Sequence, residues 1–326
     1  GTGSSWRDIA YDLDGRCTSS ESDFEDLECA PPPGFAPADD GPNGVDNTLG
    51  QTFWPLLTIV DPDYEAAIDR DMEDGIFGVL IRVAEWNGTG NDPVVDVAIV
   101  DALRGFAQGQ DPMGTNPLEP PAWDGTDEWL ATSRSFVAGD SERPLARDTA
   151  AYVVDGLIVA HPRDGSEVRI SAQTTLTIKV TRGVLTARLT DGNRALGDVI
   201  FAGRMALDDV YDTLPRLDIC AGSMRHTAIT EALRRAADLT TGGEATPMLL
   251  CEAISVGIAF DGTLANVADV VEARPERDLC DGGEEHICET TCPTAEDGIC
   301  DDGGEHSRRI TCELGTDCGD CLPRPG

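Results

Sequence analysis

Thr175-Leu176-Thr177-Ile178-Lys179-Val180 is the stretch on which the fold reading turns. Leu176, Ile178 and Val180 alternate with Thr175, Thr177 and Lys179. A period of two puts the apolar side chains on one face of a β-strand and the polar ones on the other. Arg182-Gly183 then reads as a tight turn into Val184, Leu185 and Leu189. Similar short runs, rich in β-branched residues and bounded by Gly, Asp or Pro, recur at 76–86, 94–100, 129–137, 150–159, 168–180, 199–207 and 254–260. One helix is expected over 223–239, with Ile229, Leu233, Ala236 and Ala237 on one face and Gly242-Gly243 as its stop. Strands do not alternate regularly with helices. The expected fold is therefore mainly β, an antiparallel β-sandwich or jelly roll with one helix.

Composition bounds the rest. The 326 residues carry 60 acids against 24 basic residues, a net charge of −36, and Lys179 is the one lysine. No basic stripe exists to displace the counterions of a nucleic acid. No apolar run is long enough for a membrane-spanning helix. Charge and apolar content divide the chain into an acidic irregular module at 1–50, a β core at 51–275 and a cysteine-rich acidic module at 276–326. The first 50 residues hold 11 acids and two arginines, and residues 276–326 hold 14 acids and four arginines. Segments of that composition do not fold on apolar burial alone.

Seven of the eleven cysteines, Cys280, Cys288, Cys292, Cys300, Cys312, Cys318 and Cys321, fall in the last 47 residues. A compartment that permits disulfides, extracellular or at the outer-membrane surface, is expected. Cys17 and Cys29 are spaced to close a small loop, and a Cys220–Cys251 bridge would clamp the helix to the sheet, two buried thiols being the alternative. The pairing of the tail cysteines and the fate of Cys280 stay open, since six cysteines allow 15 pairings. Zinc on the thiolates competes with disulfides, but the abundance of carboxylates opposes it. Asp297, Asp301, Asp302, Asp317 and Asp320 crowd the same short loops, with Glu305 as a weaker addition. Calcium, a hard cation taking six to eight oxygens, suits them, with a solvated acidic face as the alternative. In the N-terminal module Asp12 and Asp14 alternate ahead of Gly15, without the glycine and glutamate an EF-hand requires, and could share an ion with Asp39, Asp40, Asn43, Asp46 or Asn47.

The run from Cys292 to Cys321, with Asp297-Gly298-Ile299-Cys300-Asp301-Asp302-Gly303-Gly304 and the close Gly315-Thr316-Asp317-Cys318-Gly319-Asp320-Cys321, resembles a cysteine-rich repeat of secreted myxobacterial proteins. It is loosely similar to the Lin12-Notch repeat, whose intervals differ and whose characteristic asparagine it lacks. That likeness implies calcium on Asp301 and Asp317 most directly. Asp12-Leu13-Asp14-Gly15 and Gly44-Val45-Asp46-Asn47 resemble the front end of myxobacterial surface lipoproteins. This resemblance implies a lipid anchor upstream of residue 1; a polysaccharide or cell-surface protein is the partner expected of a surface binding protein.

Trp123-Asp124-Gly125-Thr126-Asp127-Glu128-Trp129 places two indoles around an acidic loop. It reads either as a core anchor and cap, or as a ligand site with Asp124 and Asp127 on calcium and Trp123 stacked on a sugar or other flat ligand. The four histidines lack zinc-hydrolase spacing, and neither a nucleophile elbow nor a phosphate loop occurs. Asp208-Asp209, or Glu85 with Asp96, would be the carboxylate pairs of a glycan hydrolase. The expected function is a calcium-stabilised surface binding or scaffolding protein; a calcium-dependent carbohydrate module comes second and a glycan hydrolase third.

Overall fold

The computed structural model describes residues 5–60, 62–112, 118–171, 175–273, 278–280, 286–287, 290–295, 299–302, 311–313, 315–317, 319–321 and 324–325. Ten strands form one open sheet. They are β1 (Gly78–Ala84), β2 (Asp92–Phe106), β3 (Glu128–Thr132), β4 (Ala146–Val154), β5 (Leu157–Ala160), β6 (Ser166–Ser171), β7 (Thr175–Thr190), β8 (Ala195–Ala206), β9 (Ala253–Thr263) and β10 (Asn266–Val271). The order is β9-β8-β7-β5-β4-β2-β3-β10, with β1 on β2 and β6 on β7. Every pairing is antiparallel except that of β10 with β3, which is parallel.

This corrects the expected sandwich or jelly roll. The fold is mixed α/β, because among the described residues four α-helices and not a second stacked sheet accompany the open sheet: α1 (Trp54–Val60), α2 (Tyr64–Glu73), α3 (Leu207–Thr213) and α4 (Met224–Ala236). The apolar run at 53–60 supplies buried Phe53, the last residue of a π-helical turn, and then α1, which buries Leu57 while Ile59 stays exposed; a short apolar run cannot be assigned by periodicity alone. In α2, Tyr64 and Ile68 are buried one turn apart. α3 buries Leu207, Val210 and Thr213, and its first-turn Asp208 and Asp209 suit the positive end of the helix. α4 is the expected helix; the Ser223 hydroxyl caps it by accepting from the His226 amide at 3.0 Å.

The strand pattern was legible. Leu176, Ile178 and Val180 are completely buried. Their polar neighbours are less wet than expected: Thr177 is buried and Lys179 pairs with Asp209 of α3 at 2.8 Å. Arg182-Gly183 is not a turn, since β7 runs on to Thr190 through an irregularity in register between Thr181 and Val184. Trp129 of β3 lies so close to the sheet that a Cβ on Gly78 or Gly105 would stand 2.5 or 2.6 Å from its ring.

The N-terminal segment is laid along β9. Asn47 imitates a strand: its amide nitrogen donates to the Gly257 carbonyl and its oxygen accepts from the Gly257 amide, both at 3.1 Å. A Cβ on Gly257 would stand 2.2 Å from the Ile9 carbonyl oxygen. Cys29 and Ala30 pair in parallel with the strand Thr246–Leu250. Cys29 is therefore bridged to Cys251, and Cys220 to Cys280. Both differ from the spacing-based pairs, and Cys17 is free and exposed. The reason is tertiary: the Cys251 amide donates to Ala30 at 3.0 Å, and the Leu279 amide to Pro215 at 3.1 Å, setting each partner beside its cysteine. Cys292 bridges Cys312 and Cys300 bridges Cys321. Cys288 and Cys318 lie outside the described residues.

Under this docking, Glu28 and Arg204 form a buried ion pair, each side chain 2% exposed. Arg204 meets both Glu28 oxygens, at 2.5 and 2.9 Å, and Thr240 donates to Glu28 from its amide at 2.7 Å and its hydroxyl at 2.6 Å. Burial alone would raise the Glu28 carboxyl; the bonds from Arg204 and Thr240 hold it below its ordinary value. Glu28→Leu leaves the guanidinium uncompensated and is expected to destabilise the protein by about 3–5 kcal/mol in chemical denaturation. Gly257→Ala is expected to cost about 1–3 kcal/mol by forcing the N-terminal segment off β9.

Candidate metal centres and a tryptophan-lined cleft

The first acidic cluster is built by two loops held face to face. The Asp46 amide donates to the Tyr11 carbonyl at 3.0 Å, and the Leu13 amide donates to the Asp46 carboxylate at 2.7 Å. Gly44, at φ +77°, allows the approach: a Cβ there would stand 2.3 Å from the Arg16 carbonyl oxygen. The result brings carboxylate oxygens of Asp12, Asp14 and Asp46 within 4.8 Å of one another. The Asp40 carboxylate accepts from the Thr18 amide, and Asp40 and Asp46 influence each other's protonation. Asp39 is directed elsewhere, accepting from the Ser20 amide at 2.6 Å. Three of the four expected N-terminal ligands thus converge, with Asp40 beside them.

Like charges crowded out of water hold their protons. Burial, then the neighbouring charges of Asp238, Asp40 and Asp14, raises Asp46 to about 10. Asp14 and Asp40 are each raised to about 6, burial leading in both. Two guanidinium groups of this region are engaged elsewhere: Arg204 by Glu28 and the Leu13 carbonyl, and Arg16 by the Asp26 carbonyl.

The second cluster lies in the tail. Asp301, Asp302, Asp317 and Asp320 are all buried, at 0, 2, 0 and 6% exposure. The Asp317 carboxylate accepts from the Asp301 amide at 2.7 Å, Asp302 from the Gly315 amide at 2.9 Å, and Asp301 from the Thr294 hydroxyl at 2.8 Å. Oxygens of Asp302 and Asp317 lie 3.7 and 3.5 Å from the sulfurs of Cys300 and Cys321, which are joined to each other and so are not thiolate ligands. Asp297 and Glu305 fall outside the described residues.

Trp123 stands at the rim of a cleft of about 1340 Å³, and all five tryptophans, Trp6, Trp54, Trp86, Trp123 and Trp129, line it. The Trp123 ring meets Trp129 edge-on, with centroids 5.7 Å apart, and its N–H donates to the Glu73 carbonyl at 3.0 Å. Asp124 accepts from the amide and hydroxyl of Thr126, and buried Asp127 from the Ala122 amide at 2.7 Å. Both carboxylates thereby shape their own loop. The hydrolase pairs are engaged likewise: Asp96 is held below its ordinary value by Arg147, which contacts both its oxygens, and Asp209 is paired with Lys179.

Sequence reasoning missed Glu28, Arg204 and Asp238. Their partners lie far along the chain, so no local pattern marks them. Asp238 accepts from the Ser255 amide at 2.9 Å and from its hydroxyl at 2.5 Å. Burial of its carboxylate raises it from 3.8 to about 7. The folded state then binds this proton more tightly than the unfolded state. Its contribution is full at pH values below the unfolded pKa and is lost as pH rises through about 7. Wild-type melting temperature should therefore fall as pH rises from about 4 to about 7, and Asp238→Asn should reduce that slope.

Among the described residues no helix is long and apolar enough to cross a membrane. No family model matches the chain, and neither curated proteins nor solved structures yield a match.

Proposed function

We propose that the chain is an extracellular binding protein whose acidic ends are held by calcium. The observation that carries this reading is Asp46, 3% exposed, with oxygens of Asp12 and Asp14 within 4.8 Å. Carboxylates so placed repel one another, and a divalent cation answers them without a proton. Asp12, Asp14 and Asp46 would hold it, with Asp40 adjacent; carboxylate donors select a hard ion. The four buried tail aspartates would hold a second ion. The disulfides support an oxidising compartment outside the cell. The lipid anchor rests on the sequence resemblance alone, and the cell-surface or polysaccharide partner on the surface-binding reading.

Binding to the folded state alone stabilises it by about 2.7 kcal/mol at a hundredfold excess over Kd. Calcium added to chelator-treated protein should accordingly raise the melting temperature by about 5 °C. Asp46→Asn and Asp317→Asn should each remove part of the rise, and the double variant all of it. An unchanged wild-type melting temperature contradicts the proposal.

A further inference from the structure

The cleft that collects the five tryptophans opens between β1 and the far end of β9. β1 pairs with β2 alone, and beyond Gly257 β9 pairs with β8 alone, among the described residues. Every residue of 78–83 and of 257–265 lines the cleft. Successive strand residues point to opposite faces, so an unbroken run of lining residues means that the strands present their edges to the space. Inside, Val79, Ile81 and Val83 of β1 stand with Ile258 and Phe260 of β9, and the floor reaches fully buried Val199.

The polar groups of the lining identify the occupant. Several of their hydrogen bonds are already made within the protein. Trp86 N–H donates to Thr89 at 2.8 Å and Trp123 N–H to Glu73 at 3.0 Å. Asn47 is spent on Ile9, Gly50 and Gly257, Gln51 on Asp39, and Thr58 on Pro55. A sugar entering here would exchange many water contacts for few from protein, which is costly. An alkyl chain loses nothing of that kind and gains apolar burial. At the rim, Glu65, Asp69, Glu142, Asp261 and Asp269 outnumber Arg82 and Arg194, and Arg82 is already shared with Asp96 at 3.7 Å.

We infer that the cleft between β1 and β9 is a binding site for one long apolar molecule with an uncharged or cationic head. Its volume exceeds the usual range of small-ligand sites, which fits an extended chain better than a compact ring. The acidic rim repels an anionic head and attracts a cationic one. This rests on the reading of the protein as a binding protein and is independent of its calcium.

The test uses the full chain and its own tryptophan fluorescence, with dodecanol, dodecylamine, dodecanoate and maltose as probes below their aggregation limits, in calcium and again in chelator. Dodecanol and dodecylamine are expected to bind saturably at one site, dodecanoate about tenfold more weakly, and maltose not at all. Ile81→Trp, which fills the cleft, should weaken both binders at least about tenfold. Leu264→Arg, at an exposed position on the lining, should weaken dodecylamine selectively without touching the core. The inference is overturned if no alkyl probe saturates, if dodecanoate binds as tightly as dodecylamine, if maltose binds, or if neither variant changes affinity. Loss of calcium binding with alkyl binding intact sinks the calcium reading alone; the reverse result sinks this one alone.

Discussion

A chain with 36 more negative than positive charges can bury a carboxylate only where something answers it. In the body of the sheet, arginine does so. Asp101 meets Arg169 at 2.8 Å, Asp96 meets Arg147, and Glu28 meets Arg204. Each pairing joins segments distant in sequence, so the scarce guanidinium groups act as long-range ties. The two terminal modules have few arginines of their own and the densest acids, and there the proposed answer is a divalent ion. That asymmetry links the composition to the proposed metal centres.

The same constraint explains how the N-terminal segment stays ordered. With little apolar content, it borrows the edge of β9. Asn47 completes the backbone pairing of Gly257, Thr48 donates to Ser255 at 2.7 Å, and Cys29 is tied to Cys251. Coverage of the β9 edge by these residues stops at Gly257, and beyond it the edge passes into the tryptophan-lined cleft. The acidic loops therefore sit next to the wall of that cleft: Asp46 is the chain neighbour of Asn47, itself a lining residue. Ordering the loops and shaping the cleft are one structural task, although their ligands differ in chemistry.

Legibility followed the range of the interactions. Alternation at 175–180 is a local signal, and those residues form a strand with a buried apolar parity. Most of the β-branched runs fall on strands, but those at 150–159 and 168–180 each span two strands, and 129–137 ends in 3-10 turns. The helices were harder: Trp54–Val60 is apolar on too many sides for its period to show, and Leu207 at the start of α3 was read as the end of the preceding strand. Disulfide pairing was illegible because Cys29 and Cys251 are 222 residues apart. The acidic clusters were half legible. The four tail aspartates are each buried, and Asp12 and Asp14 are brought to Asp46. Crowding in sequence could not show that Asp39 turns to Ser20, nor that the Asp124 and Asp127 carboxylates are absorbed by their own loop.

The account stands on carboxylates at the N-terminal module that require a cation. Calorimetric titration of chelator-stripped wild type and of Asp46→Asn with calcium at neutral pH examines this most directly. The account predicts saturable binding with Kd below about 1 mM, with one site missing from the variant. Absence of binding to the wild type in that range, or identical isotherms for the two proteins, would contradict it.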